Sequence, residues 1–302
     1  MNEKISNWMQ VASLRRYTMT EGVSKGLDVI DCDNGCIRFL LNVTKGLDVM
    51  QLYHEGQNVS FISKNGFVAQ NLPFGKRFEG GMLYTCGLDS VGGREGFEPH
   101  GTYHITPAEI LTAQCDENGI VVEGIVKSTA LCGSHLVMRR KITCAVGENT
   151  LHLEDTLTNE GFVDAQYGIL YHINVGYPML DEGARVVGEI EEIIPNDDWA
   201  AQNAATALEI DEPLTVRPET CYYLKNKTPA VSLINEKLGK KFTVSYSPDT
   251  LPEFLEWKNT LSGDFVLGLE PCSTRLGNEF TYTPIKPAES KKFSVNLTVE
   301  KI

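Results

Sequence analysis

The sequence lacks the short motifs of several large enzyme classes. No G-x-G-x-x-G follows a strand-like segment, and no G-x-x-x-x-G-K phosphate loop, H-E-x-x-H pair or nucleophile elbow occurs. These absences argue against a dinucleotide-binding βαβ fold, a phosphate-loop nucleotide hydrolase, a zinc peptidase and an α/β-hydrolase.

The chain also lacks a recognisable metal site. Its eight cysteines form no C-x-x-C pair, and Cys32 and Cys36 are too isolated to predict zinc, so the cysteines read as small apolar residues in a reducing compartment. The segment HGTYH, from His100 to His104, has two histidines but lacks the nearby carboxylate of a cupin-like site. We therefore expect no metal and no cofactor.

Basic residues are scarce relative to acidic ones. The chain has 27 lysines and arginines and 40 acidic residues, which gives a formal net charge of −13. Such a charge repels phosphate backbones and anionic lipid surfaces, so neither nucleic acid nor a membrane is an expected partner. No apolar run approaches membrane-spanning length, and the opening MNEKISNWMQ has no apolar signal core. We expect a cytoplasmic protein.

Period-two alternation of apolar and polar residues dominates the chain, whereas helical periodicity is scarce. The alanine-rich segment Trp199–Leu208 is the one helix candidate. The alternation predicts an all-β fold, a large antiparallel sandwich with few short helices, and residues 1–302 are expected to form one domain. The predicted strands include Val121–Lys127, Arg140–Ala145, Thr150–Thr158, Phe242–Tyr246 and the segment from Lys292.

The run Tyr167–Pro178 reads as a strand with one bulky face and one open face. On the open face, His172 and Asn174 lie between Gly168 and Gly176, which leave space that a ligand could occupy. His172 would then transfer protons and Asn174 would contact the ligand. The alternative is a core histidine whose hydrogen bonds are satisfied within the protein.

The run Asp264–Pro271 repeats this pattern. Phe265, Leu267 and Leu269 share the bulky face, and Gly268 and Glu270 share the other. A carboxylate at the end of such an apolar strand is expected to be partly desolvated, which raises its pKa and makes it a better base. The alternative is an exposed glutamate at a strand end.

Residues 80–104 are rich in glycine and carry several titratable side chains. His100, between Pro99 and Gly101, is expected at a constrained turn of a binding site, while His104 is expected to be structural. Arg77 could reach a ligand hydroxyl or anion, or could be a surface arginine. A solvated surface loop is the alternative for the whole segment. Asp155 interrupts an apolar series, and we expect a bulge that returns it to solvent.

Together these segments resemble the aldose 1-epimerase (galactose mutarotase-like) superfamily, and within it a bacterial branch mostly of unknown function. The resemblance covers most of the chain, and its combination of pieces is specific. The residues that carry it are Thr44–Gly66, Gly80–Gly93, Pro99–Gly101, Tyr171–Leu180 and Gly268–Pro271.

The resemblance implies a β-supersandwich whose concave face binds a sugar. It implies that His172 is the general acid toward the ring oxygen and that Glu270 is the base for the anomeric hydroxyl. His100 would be the second histidine, and Arg77 a further sugar contact, although Lys76 stands where the family has asparagine before this arginine. The resemblance gives no position for the family's substrate-binding aspartate.

The expected function is therefore a cofactor-independent sugar 1-epimerase acting on a small-molecule sugar. Two alternatives stay open: a non-catalytic carbohydrate-binding or sensing protein, and an isomerase or lyase for an acidic sugar, which Arg77, Arg94 and Arg275 could accommodate. The sequence leaves the sugar and the oligomeric state, a homo-oligomer included, open.

Overall fold

A computed structural model describes residues 3–216 and 219–302, and these residues form a predominantly β structure. The strands are β1 Ser13–Thr18, β2 Asp28–Asp33, β3 Ile37–Asn42, β4 Asp48–His54, β5 Gln57–Asn58, β6 Leu83–Leu88, β7 Glu109–Asp116, β8 Gly119–Thr129, β9 His135–Cys144, β10 Thr150–Asn159, β11 Ala165–Val175, β12 Arg185–Pro195, β13 Thr220–Asn235, β14 Lys240–Tyr246, β15 Glu253–Leu261, β16 Asp264–Cys272, β17 Thr283–Ile285 and β18 Ser290–Lys301. The helices are α1 Phe74–Arg77 and α2 Asp198–Gln202, with single 3-10 turns at Trp8–Gln10, Gly22–Ser24, Ala204–Thr206 and Gly277–Glu279.

The strands form two antiparallel sheets. Strands β1 to β5 follow one another in a five-stranded meander. The second sheet has 13 strands in the order β17-β11-β16-β15-β13-β14-β18-β10-β9-β8-β7, with β12 added at β13 and β6 added at β11. This architecture confirms the predicted all-β fold, which is antiparallel and has few short helices.

One apolar cluster includes residues of both sheets. Phe39 and Leu41 of β3 belong to it together with Phe242 of β14 and Leu297 of β18, and all four are fully buried. The alternation that predicts each strand also selects the face that enters this cluster, because successive side chains point to opposite sides of a sheet.

The predicted strands all lie within or overlap observed ones, whereas the helix prediction is only partly right. Trp199–Leu208 contains the last four residues of α2 and the separate 3-10 turn Ala204–Thr206. The break falls at Asn203, the C-cap of α2, whose side-chain amide donates to the carbonyl of Trp199. No helix of the described residues is long and apolar enough to cross a membrane.

The expectation that Asp155 returns to solvent is wrong. The register of β10 with β9 and β18 is unbroken at this residue, and Asp155 is 1% exposed. Its carboxylate accepts hydrogen bonds from the Arg140 guanidinium, at 2.7 Å, and from the Tyr171 hydroxyl, also at 2.7 Å. The carboxylate thus takes its hydrogen bonds from buried side chains and not from solvent.

The same arginine ties β9 to the five-stranded sheet. Arg140 also donates to Asp48 of β4, and Asp48 lies 2.6 Å from Nδ1 of His104. His104 approaches Glu79, which pairs with Lys45 at 2.8 Å. All of these charged groups are buried between the sheets. We call Lys45, Asp48, Glu79, His104, Arg140 and Asp155 the inter-sheet charge network.

Candidate active site

A cavity of about 570 Å³ opens beside one face of the 13-stranded sheet. Strands β11, β13, β15 and β16 line it together with residues of the neighbouring loops and of α1. The lining residues are Phe61, Ser63, Lys64, Asn65, Phe74, Gly75, Phe78, Gly92, Gly93, His100, His172, Glu219, Cys221, Leu255, Trp257, Asn259, Asp264, Val266, Glu270 and Leu276.

His172 and Glu270 meet in this cavity because their strands pair. Strand β11 is antiparallel to β16, with Asn174 opposite Gly268. The period-two alternation turns His172 and Glu270 to the same side of the sheet, away from Leu267 and Leu269 in the main core. Nδ1 of His172 lies 3.1 Å from Oε1 of Glu270. The structure thus brings together the two strand faces on which the sequence analysis placed the acid and the base.

The glycines on these faces have a different role from the one predicted. A Cβ atom at Gly268 would collide with the carboxylate of Glu270, so this glycine makes room for the glutamate. Gly176 is covered by the backbone of Phe61, and Gly168 by the ring of Phe280. The expectation that these glycines leave space for a ligand is therefore wrong.

Burial shifts both members of the His172–Glu270 pair toward their neutral forms. The pKa of Glu270 is raised well above its usual range by burial and by the charge of Glu219. The pKa of His172 is lowered well below its usual range by burial and by the neighbouring His100. His172 Nδ1 and Glu270 Oε1 approach each other without forming a hydrogen bond, and neither atom has a hydrogen-bond partner among the described residues. Both shifts favour a protonated carboxyl group beside a neutral imidazole.

His100 sits on a strained turn beside this pair. Its φ is +62°, and its backbone N–H donates to Gly92 at 2.9 Å while its carbonyl accepts from Gly87 at 2.9 Å. The ring packs edge-on against His172, with 5.5 Å between centroids. Burial and the charge of Arg77 lower the pKa of His100 to about 4, so the imidazole is neutral at neutral pH.

Aromatic rings form the walls around the histidines. Phe74 stacks on His100 at 5.2 Å, and Trp257 meets the edge of His172 at 5.1 Å. The ring of Phe78 is close to both His172 and Trp257, with centroid distances of 5.6 Å and 6.3 Å. Such a cavity combines apolar ring faces with a few convergent polar groups, which is typical of small-molecule sites.

Two of the predicted ligand contacts lie outside the cavity lining. Arg77 is buried, and its guanidinium donates to the Tyr84 hydroxyl at 2.8 Å and to the Glu98 carboxylate. Asn174 is fully buried, and its amide donates to the carbonyl of His172 at 3.0 Å. The predicted site of His172, Glu270, His100, Arg77 and Asn174 thus separates into three cavity residues and two residues behind them.

Several cavity residues were missed by the sequence analysis. Trp257 and Asn259 lie on the same face of β15 as Leu255, so the alternation in this strand could have found them. Glu219 accepts a hydrogen bond from the Trp257 indole at 2.7 Å, and no sequence pattern marks it. Lys64 pairs with Asp264 at 2.7 Å at the exposed side of the cavity.

The residues that the structure describes contain no group of three or more histidine, cysteine or acidic side chains placed to hold a metal ion.

Comparison with known families identifies the family to which this chain belongs. The model of a domain of unknown function, DUF4432, matches residues 24–299. The chain belongs to the DUF4432 family. No curated protein matches it.

Solved structures extend the comparison of this DUF4432 protein. A candidate aldose 1-epimerase from Klebsiella pneumoniae superposes with a TM-score of 0.84 at 21% identity, covering 95% of this chain and 83% of that one. A galactose mutarotase-like protein from Clostridium acetobutylicum gives 0.70 at 13% identity, covering 97% and 100%. Galactose 1-epimerase from Lactobacillus acidophilus gives 0.67 at 13% identity, covering 96% and 99%. At these identities the likeness confirms the galactose mutarotase-like fold.

Proposed function

We propose that this DUF4432 protein is a sugar 1-epimerase that interconverts the α and β anomers of an aldose or aldose derivative. The observation that carries the proposal is the contact of 3.1 Å between His172 and Glu270 in a cavity walled by aromatic rings. The fold shared with aldose 1-epimerases supports the same reading.

Mutarotation needs one proton donor and one proton acceptor at the same C1–O5 unit of a sugar. The base removes the proton of the C1 hydroxyl while the acid protonates the ring oxygen. The C1–O5 bond breaks as the C1 carbonyl forms, C1 turns about the C1–C2 bond, and the ring recloses on the other carbonyl face. On closure the base gives its proton back to the C1 oxygen, and the proton of O5 returns to the acid.

The buried pair can meet this requirement because it combines a carboxyl group with an imidazole. In the proposed active form the proton is on His172, which is the acid, and Glu270 is the base. Burial favours the neutral form, with the proton on Glu270, so the active form requires this proton to move to the imidazole, whose Nδ1 lies 3.1 Å from the carboxylate. Either form contains one donor and one acceptor, so the pair needs no proton from solvent.

The remaining cavity groups are assigned by their position. Phe74, Phe78 and Trp257 would pack on the C–H faces of a sugar ring, and His100 would contact a sugar oxygen. Glu219, which lines the cavity, is a further candidate for a hydroxyl contact. Arg77 is not assigned a sugar contact, because it lies outside the lining and its guanidinium binds Tyr84 and Glu98.

The cavity gives little support to an acidic substrate. Among its lining residues within the described ranges, Lys64 is the only side chain with a fixed positive charge, and Asp264 neutralises it. Arg77, Arg94 and Arg275 do not line the cavity. Uronates and sugar phosphates are therefore expected to compete poorly with neutral sugars.

NMR exchange spectroscopy between the anomers of candidate aldoses tests the proposed function. The parent should accelerate exchange over the buffer reaction, and Glu270→Gln and His172→Asn should each lower the enzymatic rate by about 10²-fold or more. Glu256→Gln is the matched control, because this glutamate is also buried but lies outside the cavity lining.

The parent and all variants must give the same far-UV circular dichroism for the comparison to hold. Exchange by Glu270→Gln and His172→Asn at the parental rate would overturn the assignment. Saturable sugar binding by the parent with no acceleration would identify a carbohydrate-binding protein instead.

A further inference from the structure

A buried thiol contacts the cavity histidine that the proposed acid and base leave aside. Sγ of Cys86, on β6, lies 3.1 Å from Nδ1 of His100. Cys86 is fully buried, and its other hydrogen bond among the described residues is to the carbonyl of Tyr84, at 3.7 Å. The contact is between two side chains 14 residues apart, which the strained turn at His100 brings together.

Both partners of this contact are neutral. Burial and the nearby Glu270 raise the pKa of the Cys86 thiol well above its usual range, so the sulfur keeps its proton. The His100 imidazole is neutral as well, with a pKa of about 4, and carries one N–H. A thiolate–imidazolium pair is opposed by the burial of both groups.

Two neutral arrangements remain, and they present opposite groups to the cavity. In the first, the thiol S–H donates to Nδ1, and the imidazole proton lies on Nε2. In the second, Nδ1–H donates to sulfur, the thiol turns to the carbonyl of Tyr84, and Nε2 presents a lone pair. The thiol is both a weak donor and a weak acceptor, so the first arrangement pairs it with a good nitrogen acceptor, whereas the second leaves the imidazole N–H on sulfur and sends the thiol hydrogen to a more distant carbonyl. The 3.1 Å contact is also much shorter than the 3.7 Å contact to Tyr84.

We propose that Cys86 is a positioning residue that fixes the tautomer of His100, with Nδ1 accepting from the thiol and Nε2–H presented to the cavity. Because Nδ1 is turned toward β6, Nε2 is the ring nitrogen left for a ligand. The second histidine of the site is therefore a hydrogen-bond donor. Its donation to a sugar oxygen rests on the proposed function, whereas the tautomer does not.

Nitrogen-15 NMR of histidine-labelled protein without sugar tests the tautomer directly. We expect the His100 signals, assigned by their loss in His100→Gln, to show an unprotonated Nδ1 and a protonated Nε2 at pH 7. In Cys86→Ala the Nδ1–H tautomer should gain population, and Cys86→Ser should restore the parental pattern. A protonated Nδ1 in the parent, or an unchanged pattern in Cys86→Ala, would overturn the proposal.

Kinetics then test what the tautomer does. If the protein is an epimerase, Cys86→Ala should raise KM about 3- to 10-fold with little change in kcat, and Cys86→Ser should recover most of it. Cys272→Ala is the matched control, because Cys272 is equally buried in the same apolar cluster but does not touch His100. Equal effects of the two alanine variants would contradict a positioning role. A protein without epimerase activity would still give the NMR result.

Discussion

Glu256 is a buried carboxyl group that the proposed reaction does not use. It has no exposed surface, and neither of its oxygens has a hydrogen-bond partner among the described residues. Burial raises its pKa to about 8, and the nearby charge of Lys258 opposes this shift only in part. The folded protein therefore binds the Glu256 proton more tightly than the unfolded chain, whose carboxyl titrates near the ordinary value.

The sign of the resulting pH dependence follows from this difference. The stability that the protonated Glu256 allows is fully present below the ordinary pKa and is lost as the pH rises toward 8. Glu256→Gln, which stays neutral, should therefore stabilise the protein increasingly over that window, by on the order of 3 kcal/mol in the free energy of unfolding. Urea unfolding of parent and variant at pH 5 and pH 8 measures the difference.

Glu117→Gln is the control for this measurement, since Glu117 lies exposed in the turn after β7. Its effect on the free energy of unfolding should stay small at both pH values. A stabilisation by Glu256→Gln that did not change between pH 5 and pH 8 would show that Glu256 does not bind its proton more tightly in the folded state.

At the scale of strands, the inter-sheet charge network makes a second prediction. Arg140 on β9 is fully buried and satisfies Asp155 on β10 and Asp48 on β4. Arg140→Met would leave two buried carboxylates without this cation, which should cost about 3–5 kcal/mol of stability. Arg140→Lys should cost less, because it keeps the charge but loses the guanidinium fork.

The adjacent residue supplies the control. Arg139 lies on the opposite face of β9, where its half-exposed side chain pairs with Glu123. Arg139→Met should cost less than about 1 kcal/mol, because exposed ion pairs contribute little. Denaturant unfolding at pH 7 measures all three variants, and equal losses for Arg139→Met and Arg140→Met would refute a special role for the network.

The strands also show what the sequence could and could not predict. Alternation alone predicts the faces of β11 and β16, and therefore the side on which His172 and Glu270 lie. It could not predict the environment of Asp155, since the partner that keeps it buried comes from another strand. The environment of Arg77 escaped the sequence for the same reason, because its partners Tyr84 and Glu98 come close to it only in the folded chain.

Glycine was the least informative signal in those strands. Gly268 predicts an open position, but the sequence does not say what fills it. In the structure the occupant is the side chain two residues later, Glu270. Strand pairing and side-chain direction decide which neighbouring side chain occupies the space beside a glycine.

At the scale of the whole molecule, the extent of the domain stays a prediction. Core residues of β3 and β14 belong to one apolar cluster, and Arg140 connects β9 with β4 through Asp48. Elements that share a core and a buried ion pair lose stability together, so the two sheets are expected to unfold in a single cooperative transition.

Hydrogen exchange followed by mass spectrometry at increasing urea concentration measures this cooperativity strand by strand. Amides of β3, Ile37–Asn42, and of β10, Thr150–Asn159, should lose protection at the same urea midpoint, although they belong to different sheets. Arg140→Met should lower both midpoints equally, because the residue contacts both sheets. An earlier, separate midpoint for β3 would show instead that the five-stranded sheet is an independent unit, since only contacts between the sheets force them to unfold together.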